Sequence, residues 1–564
     1  MTPRLAAPPL PPRAARATPS GHRMARLLLA AVLALPGVMA IVPAATAAPE
    51  RVRTRIDPDA LDIVRSPRKF TQSRRRHIVL RPGQIELWQG DSPLERIPFD
   101  GTDATLPRVA SAVAASTRPD WLEQTAPGIF LARVSLVQAP GTTLTVAAPE
   151  VRELRLRQDP ELYISAVAAV GRYTGVSVTS WDEQAGRPEP DPQALRPFVL
   201  YSEGSTLDIV RSRFSYLGSD RSRGAYGVTW EGSAGKPSTG KAVASTFANN
   251  FFGAYTFLAK DIAFSGNVFR DNTLYGLDPH DYTTGLRVIG NRAFRNGTHG
   301  IVFSVGVTGA IIRDNHSYEN GANGIVMDER SNDNLITNNR VERNKGDGIV
   351  MLGSSHVTVR ANDVSGNRVG IRVNLRSARN RIEANRVDGN ERGIELYGGA
   401  REITLNGNAV TRSKLEGIAF EAPGSTSTGD RIEGAPIGVE VRSLAKLSGI
   451  SVTGAEQGVV VTGRGIATVE RSEIDATRSG VHVQPGGVAR VDSSKLSAAA
   501  AFDGAAPRAN TGNSVASPAV ALPWLAMAGA AFLVVAVVLQ VVHRTRNRPS
   551  GLPKEGPKGV WNTS

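Results

Sequence analysis

Four consecutive residues, Asp278-Pro279-His280-Asp281, put two carboxylates and an imidazole on one short stretch of chain. A carboxylate beside an imidazole fixes its tautomer and raises its basicity, which is what a general base near neutral pH requires. If Leu277 points inward on a strand, alternation sends Asp278 and His280 outward on one face, side by side, toward solvent and substrate. The chain contains no cysteine, which excludes disulfides and thiolate metal sites. No His/Met cluster has ligand spacing and no calcium-binding glycine-aspartate nonapeptide occurs, so no metal and no cofactor are expected.

The motif sits in a repeat. Glycine followed by an aliphatic residue recurs at Gly276-Leu277, Gly300-Ile301, Gly324-Ile325, Gly348-Ile349, Gly370-Ile371, Gly393-Ile394 and Gly417-Ile418, at intervals of 24, 24, 24, 22, 23 and 24 residues. A second marker, Asn267, Asn291, Asn315, Asn339, Asn362, Asn385 and Asn408, runs at 24, 24, 24, 23, 23 and 23. A period in the low twenties fits one coil of three short strands, and the alternation in Gly324-Ile325-Val326-Met327-Asp328 is that of a strand with one face buried. Stacked asparagine amides can bond along the axis of such a coil and tolerate left-handed turns, so that row is read as structural.

The expected fold is therefore all-β: a right-handed parallel β-helix of about 22–24-residue coils, with an N-terminal β-rich cap. Stacking at this period lines up His280, Ser304, Asp328, Leu352, Asn374 and Tyr397 in one outward column, beside Asp278, Val302, Val326, Val350, Arg372 and Glu395. Ser304, Asp328, Asn374 and Tyr397 are accordingly candidate substrate contacts along a polysaccharide track.

In these residues the sequence resembles the periplasmic mannuronan C5-epimerases of alginate-producing bacteria. The likeness runs from Arg196-Pro197-Phe198 through the segment from Ala248 to Phe257, Ser265-Gly266-Asn267-Val268-Phe269 and the D-P-H-D motif to Tyr397. Further matches are His299-Gly300-Ile301, Asn315-His316-Ser317, Asn334-Leu335-Ile336 and Asp347-Gly348-Ile349. The resemblance implies inversion at C5 of a uronic acid within a polymer, with His280 as base and Asp278 and Asp281 holding it and the sugar. Where the family has a serine-arginine pair one coil on, whose guanidinium neutralises the sugar carboxylate, this chain has Ser304-Val305. Arg330, two coils from the motif, and Arg287 are the candidate substitutes. A lyase sharing the first step and a noncatalytic glycan-binding module are the competing readings.

The ends of the chain suggest its setting. Arg4, Arg13, Arg16, Arg23 and Arg26 precede an apolar run from Leu27 to Val42 and small residues at Ala45-Thr46-Ala47, the pattern of a secretory signal. Leu522 to Val542 is almost wholly apolar and is followed by His543, Arg544, Arg546 and Arg548, the pattern of a single spanning helix with its tail inside. The expected organisation is a signal peptide over 1–47, a capping region over 48–195, the β-helix over 196–495, a flexible linker over 496–521, a transmembrane helix over 522–542 and a cytoplasmic tail over 543–564. The net charge is +14, but the stretch from Asp261 to Lys414 carries 20 basic and 17 acidic residues, which argues against a nucleic-acid partner. The expected partners are an acidic uronic-acid polymer and the membrane, with the chain a monomer.

Overall fold

The computed structural model describes residues 76–90, 92–159, 162–220, 224–516 and 523–546. The expected signal peptide, the first part of the expected cap and most of the expected cytoplasmic tail lie outside the described residues.

Three stacks of parallel strands form the walls of one solenoid. In the coil of the motif, Leu277–His280 belongs to the first wall, Arg287–Ile289 to the second and Arg292–Phe294 to the third. The next coil begins at Ile301–Phe303. In-register pairing joins Leu277 to Ile301, Ile301 to Ile325 and Ile325 to Ile349, so the aliphatic member of each glycine pair stacks on its counterpart. These side chains are fully buried and form the axis of the core. Burying each stabilises the coil by about 1.5–3 kcal/mol.

The glycine marker has a steric cause. A Cβ on Gly348 would lie 2.4 Å from Val364 Cγ1 and 2.6 Å from the Gly370 carbonyl oxygen, so the corner between third and first walls closes too tightly for any side chain.

The asparagine marker is a hydrogen-bonded row in the corner between the second and third walls. Asn267 Nδ2 donates to Asn291 Oδ1 at 3.0 Å, Asn291 to Asn315 and Asn315 to Asn339 at 2.9 Å, and the row runs on until Asn408 donates to Asp430 Oδ1 at 2.8 Å. A second row, which the sequence reading did not separate from the first, fills the corner between third and first walls. There Asn272 donates to Asn296, Asn296 to Asn320 and Asn320 to Asn344, at 2.8–2.9 Å. Each amide also takes up a backbone carbonyl one coil back, so groups that would otherwise be buried unpaired are satisfied.

The solenoid extends beyond the expected limits at both ends. Parallel pairing in the first wall links Arg76–Arg81 to Ser135–Gln138, then to Tyr163–Val167, Phe198–Ser202 and Val228–Glu231, with no break at 195/196. Capping falls to smaller pieces. Gln84–Gln89 and Ser92–Pro98 pair antiparallel alongside Arg76–Arg81, and a short helix, Leu106–Ala114, buries Leu106, Val109, Ala110 and Val113 over the first coil. At the other end Lys495–Ser497, Ala500–Gly504, Ala509–Thr511 and Ser514–Ala516 add strands to all three walls where a flexible linker was expected.

Pro523–Arg546 is an α-helix of 24 residues, covering the segment read as a membrane span. Among the described residues no helix is long and apolar enough to cross a membrane. The helix is thus observed and the span is not.

Candidate active site

The first wall presents the motif in the register expected. Leu277 points into the core, and Asp278 and His280 lie on the opposite, outer face. The expectation that both meet solvent is corrected, because Asp278 is only 2% exposed. Its neighbour on one side is Tyr255, part of a buried aromatic cluster with Tyr226, Phe251, Phe252 and Phe257. On the other side Val302, Val326 and Val350 form an apolar patch on which Tyr275 packs. Asp278 is caught between two apolar clusters, and its Oδ1 has no hydrogen-bond partner among the described residues.

His280 keeps about a third of its side chain open, at 30%, and its Nδ1 lies 3.1 Å from Asp281 Oδ2. That contact depends on the turn. Asp281 and Tyr282 take φ of 36° and 55°, so the chain reverses at once and returns the Asp281 carboxylate to the imidazole. Thr283 Oγ1 donates to the His280 carbonyl at 2.9 Å and closes the turn. The resemblance gave Asp278 and Asp281 together the part of holding the imidazole, and of the two it is Asp281 that touches it.

Burial pushes Asp278 up to about 7, with Asp281 and Asp328 adding to the rise and His280 opposing it. Burial alone would lower His280, but Asp281, helped by Asp278 and Glu329, outweighs it and raises the imidazole above its ordinary value. Two tyrosines overlooked by the sequence reading complete the surroundings. The Tyr255 ring lies 5.8 Å from the His280 ring, and Tyr275, three residues before Asp278, stacks on His299 at 5.5 Å. Burial and the nearby carboxylates raise both phenols, so both keep their protons. Burial holds His299 down to about 4, and its Nδ1 accepts from the Asn323 backbone at 3.2 Å. Tyr255 lies 23 residues before Asp278, one coil back, so the repeat itself could have found it.

The remaining candidates separate. Ser304 bridges to His280, and Asp328 follows one coil further on the same face. Asn374 and Tyr397 share that column and are joined at 2.8 Å, but Asn374 stands four coils, about 19 Å, from His280. Arg330 is exposed in the turn after Ile325–Asp328. Arg287 opens a strand of the second wall and faces away from His280, so it is not brought to the motif. A sequence period counts coils but does not say on which wall a charge emerges.

Two family models match the chain, the right handed beta helix region over residues 328–432 and the periplasmic copper-binding protein (NosD) over 218–356. A mannuronan C5-epimerase of Pseudomonas aeruginosa is 31% identical over 223 residues, and one of Azotobacter vinelandii is 30% identical over 246. This chain is similar to mannuronan C5-epimerases. The matches cover 37% and 39% of this chain and only 39% and 43% of those relatives, about two fifths of their length. A crystal structure of the periplasmic alginate epimerase AlgG aligns with a TM-score of 0.49 and 21% identity, over 75% of this chain and 84% of that one. The resemblance read from the D-P-H-D coil is borne out by these epimerases. Among the described residues no group of three or more His, Asp or Glu is arranged to hold a metal ion.

Proposed function

We propose that the chain inverts C5 of uronic acid residues within a polymer, polymannuronate or a close relative. The observation that carries the reading is the first-wall strand on which a raised, partly open His280 is held by Asp281 beside a buried Asp278. Neutral His280 takes the C5 proton. The sugar carboxylate must then accept charge as an enolate, which is accessible only if its own charge is offset. Two groups are available for this: the exposed guanidinium of Arg330, and Asp278, whose carboxyl burial pushes up to about 7, so that it can hold a proton to share with the sugar carboxylate. Water or a protonated hydroxyl such as that of Tyr275 returns a proton to the opposite face. Ser304 and Asp328 border the reacting sugar, and Asn374 and Tyr397 hold sugars further along.

Val305, in place of the family arginine, favours a second reading in which the face binds glycan without turnover. Incubating the protein with polymannuronate in heavy water separates the possibilities. Epimerisation places deuterium at C5, elimination gives an unsaturated end absorbing in the ultraviolet, and a pure binder gives neither. A parent protein that exchanges no C5 hydrogen on any uronan would refute the epimerase reading.

The setting is part of the proposal. The N-terminal signal pattern over 1–47 and the C-terminal apolar run followed by arginines support a solenoid outside the cytoplasm, anchored through 522–542 with 543–564 inside. Carbonate extraction of membranes tests the anchor, because an anchored chain stays in the pellet.

A further inference from the structure

Each passage from the first wall to the second opens with a turn of one or two residues, and the last position of that turn follows a pattern. Tyr282, Gly306, Arg330, Gly353, Arg376 and Gly399 occupy it in the successive coils of His280, Ser304, Asp328, Leu352, Asn374 and Tyr397. A long side chain alternates with glycine, so Tyr282, Arg330 and Arg376 stand two coils apart, about 10 Å. All three are held in left-handed backbone, at φ of 55°, 62° and 64°, which such residues rarely adopt.

Two of the glycines, Gly306 and Gly399, leave space that Tyr282 and Arg376 use. A Cβ on Gly306 would come within 2.8 Å of the Tyr282 ring, and one on Gly399 would meet Arg376 Cγ at 3.4 Å. Tyr282 is 55% exposed. Arg330 and Arg376 are exposed and form no ion pair among the described residues. Their neighbours Arg368, Arg372, Arg379, Arg386 and Arg392, by contrast, each hold a carboxylate.

We infer that this ridge is a rail for an acidic polysaccharide, with Tyr282 under the face of one sugar and Arg376 taking the carboxylate of a sugar further along, beyond the reacting sugar that Arg330 serves. The inference rests on the uronan reading above and extends it beyond the reacting sugar. Guanidinium forks suit carboxylates in two-point contact, and a stiff row of sites engages a long chain more firmly than a short one.

The test is titration of the full-length protein with polymannuronate oligomers of about three and about nine sugars, with dextran as neutral control. The parent binds the long oligomer more tightly than the short one and ignores dextran. Tyr282→Ala and Arg376→Gln each weaken the long oligomer about tenfold, by the multivalent argument, with a smaller loss for the short one. Tyr282→Phe binds as the parent, and the melting temperatures of all variants stay together. Long-oligomer affinity unchanged in both Tyr282→Ala and Arg376→Gln overturns the rail. If the parent exchanges C5 hydrogen while these variants bind normally, the rail alone fails. If the parent binds the long oligomer through these residues but exchanges nothing, the epimerase reading fails and the rail stands. If it binds no uronan, both are refuted.

Discussion

The coils from residue 261 to 414 and those from 437 to 504 share three walls but turn differently. In the first group, amide rows fill two corners and the strands are mostly three or four residues long. In the second, Ser451–Val461 and Glu473–Val483 run for 11 residues each, passing from third wall to first without a turn. The corner that held Asn296 and Asn320 is occupied there by buried Ala455 and Ala476. Alanine can neither accept a neighbouring N–H nor donate to a carbonyl, so the backbone meets its own needs by staying extended.

The difference bears on chemistry. Tyr275 and His299, which flank the motif, come from the very corner that the later coils lack. In those coils His482 Nδ1 lies 2.8 Å from Asp503 Oδ2, a closer contact than that at His280. His482 also belongs to the outer column of Asp278, in register through Arg372, Glu395, Ala419, Glu440 and Val460. A histidine against an acid therefore occurs in both regions, but only one has a second, buried acid and turn-borne tyrosines around it.

The sharpest way to break this contrast is to remove each histidine. His280→Ala is expected to lower C5 deuterium exchange by about a thousandfold, in the range for loss of a general base, while His482→Ala leaves it unchanged. Equal losses would mean that the corner is irrelevant.

Asp278 offers a test by pH. Its carboxyl is raised from an ordinary value near 4 to about 7, so its contribution to stability is whole below about pH 4 and is lost as pH rises through about 7. His280, also raised, loses its contribution in the same direction. Asp278→Asn should escape the first of these losses. Between pH 5 and pH 8 the parent is expected to lose about 3 kcal/mol more than the variant in urea unfolding. Parallel curves would show that the site does not hold a buried acid.

Removing one link of an amide row should cost more than removing a hydroxyl from the later coils. Asn315→Ala strands the neighbouring amide and carbonyl and is expected to cost about 2 kcal/mol, whereas Ser472→Ala is expected to cost about 1 kcal/mol. Similar costs would mean that the rows are ornamental. The smallest effect is expected at Asp281→Asn. Deleting the charge that raises His280 moves the ascending limb of the pH–rate profile to lower pH, because the base stays neutral further into the acid range. An unmoved limb would assign it to another group.

Register was legible from sequence because a strict interval leaves one way to stack the coils: Leu277 on Ile301 and Ser304 beside His280 follow from counting. The coils before residue 196 were not, since the first-wall strands Ser135–Gln138, Tyr163–Val167 and Phe198–Ser202 follow one another at unequal intervals of 28 and 35 residues, which erases the period while leaving the pairing intact. The burial of Asp278 was hidden for another reason. Besides Val302, Val326 and Val350 in the coils after it, it is covered by Tyr255 from the coil before and by Tyr275 from the preceding turn, and strand alternation describes neither tyrosine. Arg287 failed because nearness in coil number is not nearness around the circumference.

The first amide row also has a direction. Every link donates toward the C-terminal end, and the row stops at Asp430, fully buried, where Asn408 and Ser427 both donate to its carboxyl oxygens. An amide receives a proton on one atom and offers one from the other, so it can relay the pattern. An ionised carboxylate only receives. Asp430 thus works as a full stop, and one atom type marks where the message written in asparagine ends.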